Sequence, residues 1–183
     1  LGFRVVCCDP PRMRLTPGLG FLTLDELLSL SDIVTLHVPF TTEGPDKTAG
    51  MASGEFFARM RPGSAFINCS RGPVMQDGPL LDALRKGHIA YAAIDTWNHE
   101  PGIDRELLAR AFCATPHIAG YSVQGKAAGT AAVVRSVSEL YGLPLTEWYP
   151  PQVTPTVPDR SVTWDGLQRS LPRYFDIEAE TTY

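Results

Sequence analysis

The sequence lacks the features that mark several common classes of protein. It has no apolar run of about 18 residues, so no membrane-spanning helix is predicted. Its 16 Lys and Arg are outnumbered by 20 Asp and Glu, which gives a net charge of -4 at pH 7. No basic stripe suits nucleic acid or an anionic membrane surface. We therefore expect neither nucleic acid nor a membrane as a partner.

Spacings typical of metal ligands are also missing. His99 stands beside Glu100, but no third ligand lies at a spacing that zinc sites use. The four cysteines lie in apolar, strand-like runs and are predicted to be reduced core thiols: Cys7, Cys8, Cys69 and Cys113. No signal-peptide pattern is present. These observations predict a cytoplasmic protein without a metal.

Short apolar runs do alternate with helical patterns along most of the chain. Strands are predicted at residues 3–8, 32–38, 65–69, 90–94 and 112–115, with helices between them. The runs are continuously apolar, which indicates that helices cover both faces of the sheet. The pattern predicts an α/β fold with a doubly wound, Rossmann-like parallel sheet.

The first apolar run ends in an acidic residue, Asp9. This is typical of the second strand of a dinucleotide-binding fold, where the acidic residue hydrogen-bonds the hydroxyl groups of the adenosine ribose. An Asp that merely starts a turn is the alternative. The glycine-rich fingerprint should precede this strand by about 20 residues, and the sequence does not contain it. We therefore expect the sheet to lack its first βα unit.

Three regions are predicted along the chain. Residues 1–121 form a cofactor-binding domain, and residues 122–142 form a long helix that leads away from the sheet. Residues 143–183 begin with a Pro-rich linker. They continue into a further domain that is cut short, since so few residues cannot form their own core.

Ionisable side chains follow three successive predicted strands. Arg71 offers a planar fork for a carboxylate, Glu100 offers a carboxylate, and His117 offers a base suited to neutral pH. The carboxyl ends of parallel strands meet at the edge of the sheet where ligands bind. Singly, Arg71 could close a surface turn, Glu100 could be a solvated acid, and His117 could pack. Their occurrence in order favours a catalytic set.

These motifs resemble the D-isomer-specific 2-hydroxyacid dehydrogenase family. The resemblance covers about residues 1–142, and it is carried by Asp9 and by the segments 37–39, 68–72, 95–101 and 116–120. It implies NAD as the cofactor and a phosphorylated 2-hydroxy acid as the substrate. It also implies that the helix at 122–142 returns toward a substrate domain outside this sequence. Residues 143–183 would then lead into a truncated C-terminal dimerisation domain, and the full-length protein would be a homodimer.

The resemblance assigns catalytic roles to the three strand-end residues. His117 takes the proton from the C2 hydroxyl, and Glu100 orients its ring. Arg71 binds the substrate carboxylate.

The resemblance also assigns binding roles. Asp9 holds the adenosine ribose, Asp95 contacts the nicotinamide carboxamide, and Tyr121 contacts the substrate's phosphate or hydroxyl. For Asp95 an N-cap is the alternative, and for Tyr121 a buried anchor of the long helix. Four further positions line the cofactor: Val38, Cys69, Ser70 and Gly120. Other family activities stay open, namely oxidation of 3-phosphoglycerate, reduction of glyoxylate or hydroxypyruvate, and NAD sensing without catalysis.

Overall fold

The computed structural model describes residues 2–153, together with Thr163 and Asp165. At its centre lies a parallel sheet of four strands in the order β1-β2-β3-β4. The strands are β1 (Ile33–Leu36), β2 (Ser64–Asn68), β3 (Ile89–Ile94) and β4 (Cys113–Ala114). The predicted parallel α/β fold is confirmed. The predicted dimerisation segment falls largely outside the described residues.

Within residues 2–153 six α-helices accompany the sheet, and most of their starts follow local capping rules. Thr23 and Glu26 form the expected capping box before the second helix. Ser53, Asp104 and Ser122 accept hydrogen bonds from the first turns of three others. The helices are α1 (Pro10–Leu15), α2 (Leu24–Leu30), α3 (Gly54–Arg59), α4 (Asp77–Arg85), α5 (Arg105–Arg110) and α6 (Val123–Tyr141). None of the helices in the described part of the chain could cross a membrane.

The core lies on one face of the sheet. Phe56 and Phe57 of α3 pack edge-to-face on Phe66 of β2, with ring centroids 6.1 and 5.1 Å away. On the other face, Ile33 and Tyr91 are about half exposed. Right-handed crossovers between strands in sequential order place every connecting helix on the same side. The expectation of helices on both faces is therefore met on one face only in the described residues.

Two details of the sequence analysis are wrong. Residues 3–8 form no strand in the structure, because no strand among the described residues lies alongside to complete a ladder. The cysteines are not core residues either. Cys7 and Cys69 are exposed, and Cys8 and Cys113 are partly exposed. Cys7 and Cys8 belong to the segment 3–8, which lies outside the sheet, and Cys69 lies one residue beyond the end of β2.

Gly72 lets two loops at the edge of the sheet approach closely. It begins a 3-10 turn, Gly72–Val74, after β2. A β-carbon at this position would lie 1.9 Å from the carbonyl oxygen of Trp97, in the loop after β3. Only glycine permits this approach, which brings the Arg71 loop against the loop that carries Glu100.

We predict that Gly72→Ala lowers the free energy of unfolding by about 3 kcal/mol, at the upper end for an overpacked site. The added methyl group must push apart two backbone segments. Gly129→Ala is the matched control, because nothing lies near its β-carbon position within α6. That variant should gain about 0.5–1 kcal/mol. Urea unfolding measures both, and an unchanged Gly72→Ala would contradict the close approach.

Candidate active site

The loop after β2 is shaped by a fully buried amide, that of Asn68. Its Oδ1 accepts hydrogen bonds from the Ser70 N–H at 3.1 Å and from the Ser70 hydroxyl at 2.9 Å. Its Nδ2 donates to the carbonyl oxygen of Arg71 at 3.1 Å. With every polar atom engaged, the amide fixes the turn that presents Arg71. The guanidinium of Arg71 is exposed and donates to the Ser70 carbonyl at 2.6 Å.

A cleft of about 530 Å³ opens between the ends of β1 and β2. Its lining includes four predicted site residues: Val38, Cys69, Ser70 and Arg71. The sequence analysis gave no cofactor role to His37 and Phe40, which also line it. Desolvation by nearby protein atoms raises the pKa of the Cys69 thiol, and the charge of Asp95 adds to this. The thiol is therefore protonated at neutral pH and is not a poised nucleophile.

Glu100 and His117 form the predicted pair. The His117 Nδ1 lies 3.0 Å from Glu100 Oε2, and Glu100 Oε1 accepts from the Trp97 N–H at 2.7 Å. Partial burial raises the pKa of the Glu100 carboxyl. The hydrogen bonds from His117 and Trp97 outweigh this effect, so the pKa lies below its ordinary value.

The charge state of Glu100 decides the tautomer of the histidine. An ionised carboxylate only accepts hydrogen bonds, so the His117 Nδ1 must carry the proton. The lone pair then lies on Nε2, and that nitrogen is the one able to act as a base. The side chain of His117 is 47% exposed and that of Glu100 is 37% exposed, so a ligand can reach the pair.

The loop after β4 holds His117 in a strained conformation. Its φ is +57°, in the left-handed region, which costs a residue with a β-carbon about 1–2 kcal/mol. The buried carboxylate of Asp95 offsets this cost. Its Oδ1 accepts from the Thr115 hydroxyl at 2.6 Å and from the Ile118 N–H at 2.7 Å, and its Oδ2 accepts from the Ala119 N–H at 3.0 Å. Strain held by its surroundings in this way is common at active sites.

Asp95 therefore has a structural task that the sequence analysis did not foresee. It was assigned to the nicotinamide carboxamide or, alternatively, to an N-cap. In the structure both of its carboxylate oxygens bind the loop that carries His117, from the strand next to that loop. The contact joins residues about 20 positions apart in sequence, and no local pattern signals it. The carboxamide contact stays a prediction.

The remaining predicted residues lie outside this cluster of contacts. Asp9 is the N-cap of α1, and its Oδ1 accepts from the Arg12 N–H at 3.0 Å, as its turn-starting alternative expected. Tyr121 is 72% exposed, so it is not a buried anchor of α6. The Lys126 Nζ lies 3.4 Å from its ring centroid. Gly120 has open space around it.

We predict that Glu100→Gln changes how stability depends on pH. A folded-state pKa below the ordinary value of 4.5 stabilises the fold above that pH, and this contribution is lost as the pH falls through the folded-state pKa. The variant should therefore be less stable than the wild type at pH 7, with a smaller difference at pH 3. Urea unfolding at several pH values measures this. Glu147→Gln, exposed after α6, is the control, and an equal change in both variants would contradict the assignment.

Known proteins match this chain in sequence and in fold. The erythronate-4-phosphate dehydrogenase of Cronobacter sakazakii is 43% identical over 144 residues, which are 79% of this chain and 38% of that protein. The erythronate-4-phosphate dehydrogenase of Bacteroides thetaiotaomicron is 40% identical over 179 residues, which are 97% of this chain and 50% of that protein. This chain thus spans half or less of the length of these relatives.

A solved structure matches the fold of this chain as well. The apo form of D-mandelate dehydrogenase from Rhodotorula graminis superposes with a TM-score of 0.59 at 28% identity. The match covers 83% of this chain and 44% of that one. The model of the NAD binding domain of the D-isomer specific 2-hydroxyacid dehydrogenases matches residues 1–119. This match confirms the predicted cofactor, NAD, at the level of the family. The chain therefore belongs to the D-isomer specific 2-hydroxyacid dehydrogenase family.

Proposed function

We propose that this protein is an NAD-dependent dehydrogenase that oxidises 4-phospho-D-erythronate to 2-oxo-3-hydroxy-4-phosphobutanoate. The observation that carries the proposal is the hydrogen bond between Glu100 and His117, placed beside the Arg71 loop at one edge of the sheet. The choice of substrate rests on the names of the relatives. We place the reaction on the route to pyridoxal 5′-phosphate, in a cytoplasmic homodimer.

The cleft at the ends of β1 and β2 suits one part of the cofactor. Val38 and Pro39 supply an apolar wall, and Ser70 supplies polar groups near it. Bound NAD would accept the hydride that leaves C2 of the substrate. Val38, Cys69, Ser70 and Gly120 would line it, and Asp9 would hold the adenosine ribose.

The proton and the substrate are handled by the chain's own residues. As the C2–H bond breaks with its electron pair, the C2 hydroxyl becomes a carbonyl and its proton passes to Nε2 of His117. The Glu100 carboxylate stabilises the imidazolium that results. Arg71 would exchange its hydrogen bond to the Ser70 carbonyl for a two-pronged contact with the substrate carboxylate. Tyr121 would contact the phosphate or hydroxyl end of the substrate.

We predict that His117→Gln lowers kcat for NADH formation by about 10³-fold, within the range of a lost general base. Glutamine can hydrogen bond but cannot take the proton. The measurement is the change in NADH absorbance on the full-length protein. 4-Phospho-D-erythronate and 3-phosphoglycerate are each supplied with NAD, and glyoxylate, which would be reduced, is supplied with NADH. His88→Gln is the matched control. His88 lies just before β3, at the opposite end of the strands from the candidate site, and its ring contacts the Met60 carbonyl there.

Each outcome of this assay has a clear meaning. Turnover of another 2-hydroxy acid alone would keep the mechanism and reject the substrate. Near-normal turnover by His117→Gln would reject the mechanism. NAD binding without turnover of any of these acids by the wild type would favour a sensing protein.

We predict that Arg71→Lys raises the KM for the substrate acid by about 10- to 100-fold, as expected for one charged hydrogen bond lost. A lysine keeps the charge but cannot make the two-pronged contact. Initial rates against substrate concentration measure the effect. Arg61→Lys is the control, because Arg61 pairs with Asp32 at the other edge of the sheet. A KM unchanged in Arg71→Lys would remove Arg71 from the substrate site.

A further inference from the structure

One buried residue, Trp97, touches all three loops of the candidate active site. Its backbone N–H donates to Glu100 Oε1 at 2.7 Å, and its indole Nε1 donates to the carbonyl oxygen of Thr115 at 3.0 Å. Its own carbonyl oxygen lies against Gly72, next to Arg71. The side chain is 5% exposed.

The indole contact acts on the peptide unit that precedes Pro116, two residues before His117. The Thr115 carbonyl belongs to the peptide bond between Thr115 and Pro116, and the ring of Pro116 fixes the next backbone angle. The same carbonyl accepts the His117 N–H at 3.0 Å. Together with the Asp95 carbonyl oxygen, which accepts from the same N–H at 2.8 Å, it sets the direction in which the chain enters the left-handed conformation at His117.

The backbone contact acts on the partner of His117. Glu100 uses one carboxylate oxygen for the Trp97 N–H and the other for the imidazole. A carboxylate held at both oxygens cannot rotate without breaking a hydrogen bond. Trp97 thus holds Glu100 by its backbone and the loop that carries His117 by its side chain, so it limits how far the two can move relative to each other.

Packing alone explains less than this. A buried indole N–H usually finds some acceptor, and a main-chain carbonyl in the adjoining helices would serve packing equally well. The acceptor here lies two residues before His117. A phenylalanine would keep the six-membered ring and both backbone contacts, and would remove the indole hydrogen bond together with the packing of the pyrrole part of the ring.

We propose that Trp97 is a positioning residue: its indole hydrogen bond to Thr115 holds the His117 ring in line with Glu100. This proposal rests on the proposed function for its effect on turnover. It also makes a claim about the His117 ring that does not need turnover.

The test uses Trp97→Phe, with Trp148→Phe as the matched control in the segment after α6. In Trp97→Phe we expect kcat to fall about tenfold, with the KM for NAD within about twofold, because misplacement of less than 1 Å costs rate rather than cofactor binding. The thermal unfolding midpoint should fall by a few degrees relative to Trp148→Phe, because part of a buried ring and one buried hydrogen bond are lost. A kcat within twofold of the wild type, or a fall in kcat matched by an equal-fold rise in the KM for NAD, would overturn the proposal.

The ring nitrogens give a second, independent readout on the full chain. With ¹⁵N-labelled histidine, the wild type should show His117 protonated on Nδ1, assigned by its absence in His117→Gln. Trp97→Phe should populate the Nε2-protonated tautomer as well, while Trp148→Phe should not. Unchanged tautomers in Trp97→Phe would overturn the proposal even if the wild type turns over no substrate, an outcome that would separately reject the proposed function.

Discussion

The buried carboxylate of Asp95 is the contact on which the rest of the candidate site depends. It stands at the end of β3 and accepts hydrogen bonds from one hydroxyl and two backbone N–H groups of the next loop. A carboxylate buried without partners would be very costly, whereas these hydrogen bonds are of the stronger, charge-assisted kind. They hold His117 in a backbone conformation that it would otherwise leave. The proposed base is therefore preorganised by a residue that need not touch the substrate.

The order of the strands in the sheet explains why the three loops can contact one another. Parallel strands in sequential order place the ends of β2, β3 and β4 side by side, so each loop has the next as its neighbour. Gly72 allows the first two loops to touch, and Trp97 and Asp95 connect the second loop to the third. The loops are thus fastened through backbone atoms and buried polar groups. The side chains of Arg71, Glu100 and His117 are left partly exposed for a ligand.

These contacts couple the positions of residues that are far apart in the sequence. A change at Gly72 would move Trp97, and a change at Trp97 would move both Glu100 and the Thr115 carbonyl. Buried, fully satisfied polar networks of this kind specify one geometry. The geometry of such a site therefore depends also on residues that are themselves neither acids nor bases.

The sequence by itself determined the parallel α/β fold and the strand-end residues Arg71, Glu100 and His117. Both follow from local patterns, namely apolar runs of strand length and the polar residue that comes after each run. It did not determine that Trp97 and Asp95 fasten the His117 loop, because those hydrogen bonds join neighbouring strands far apart in the chain. Tertiary structure also decided the exposure of Cys69, since an apolar run does not show where its strand ends. Burial and long-range hydrogen bonds are properties of the packed loops, and no local pattern encodes them.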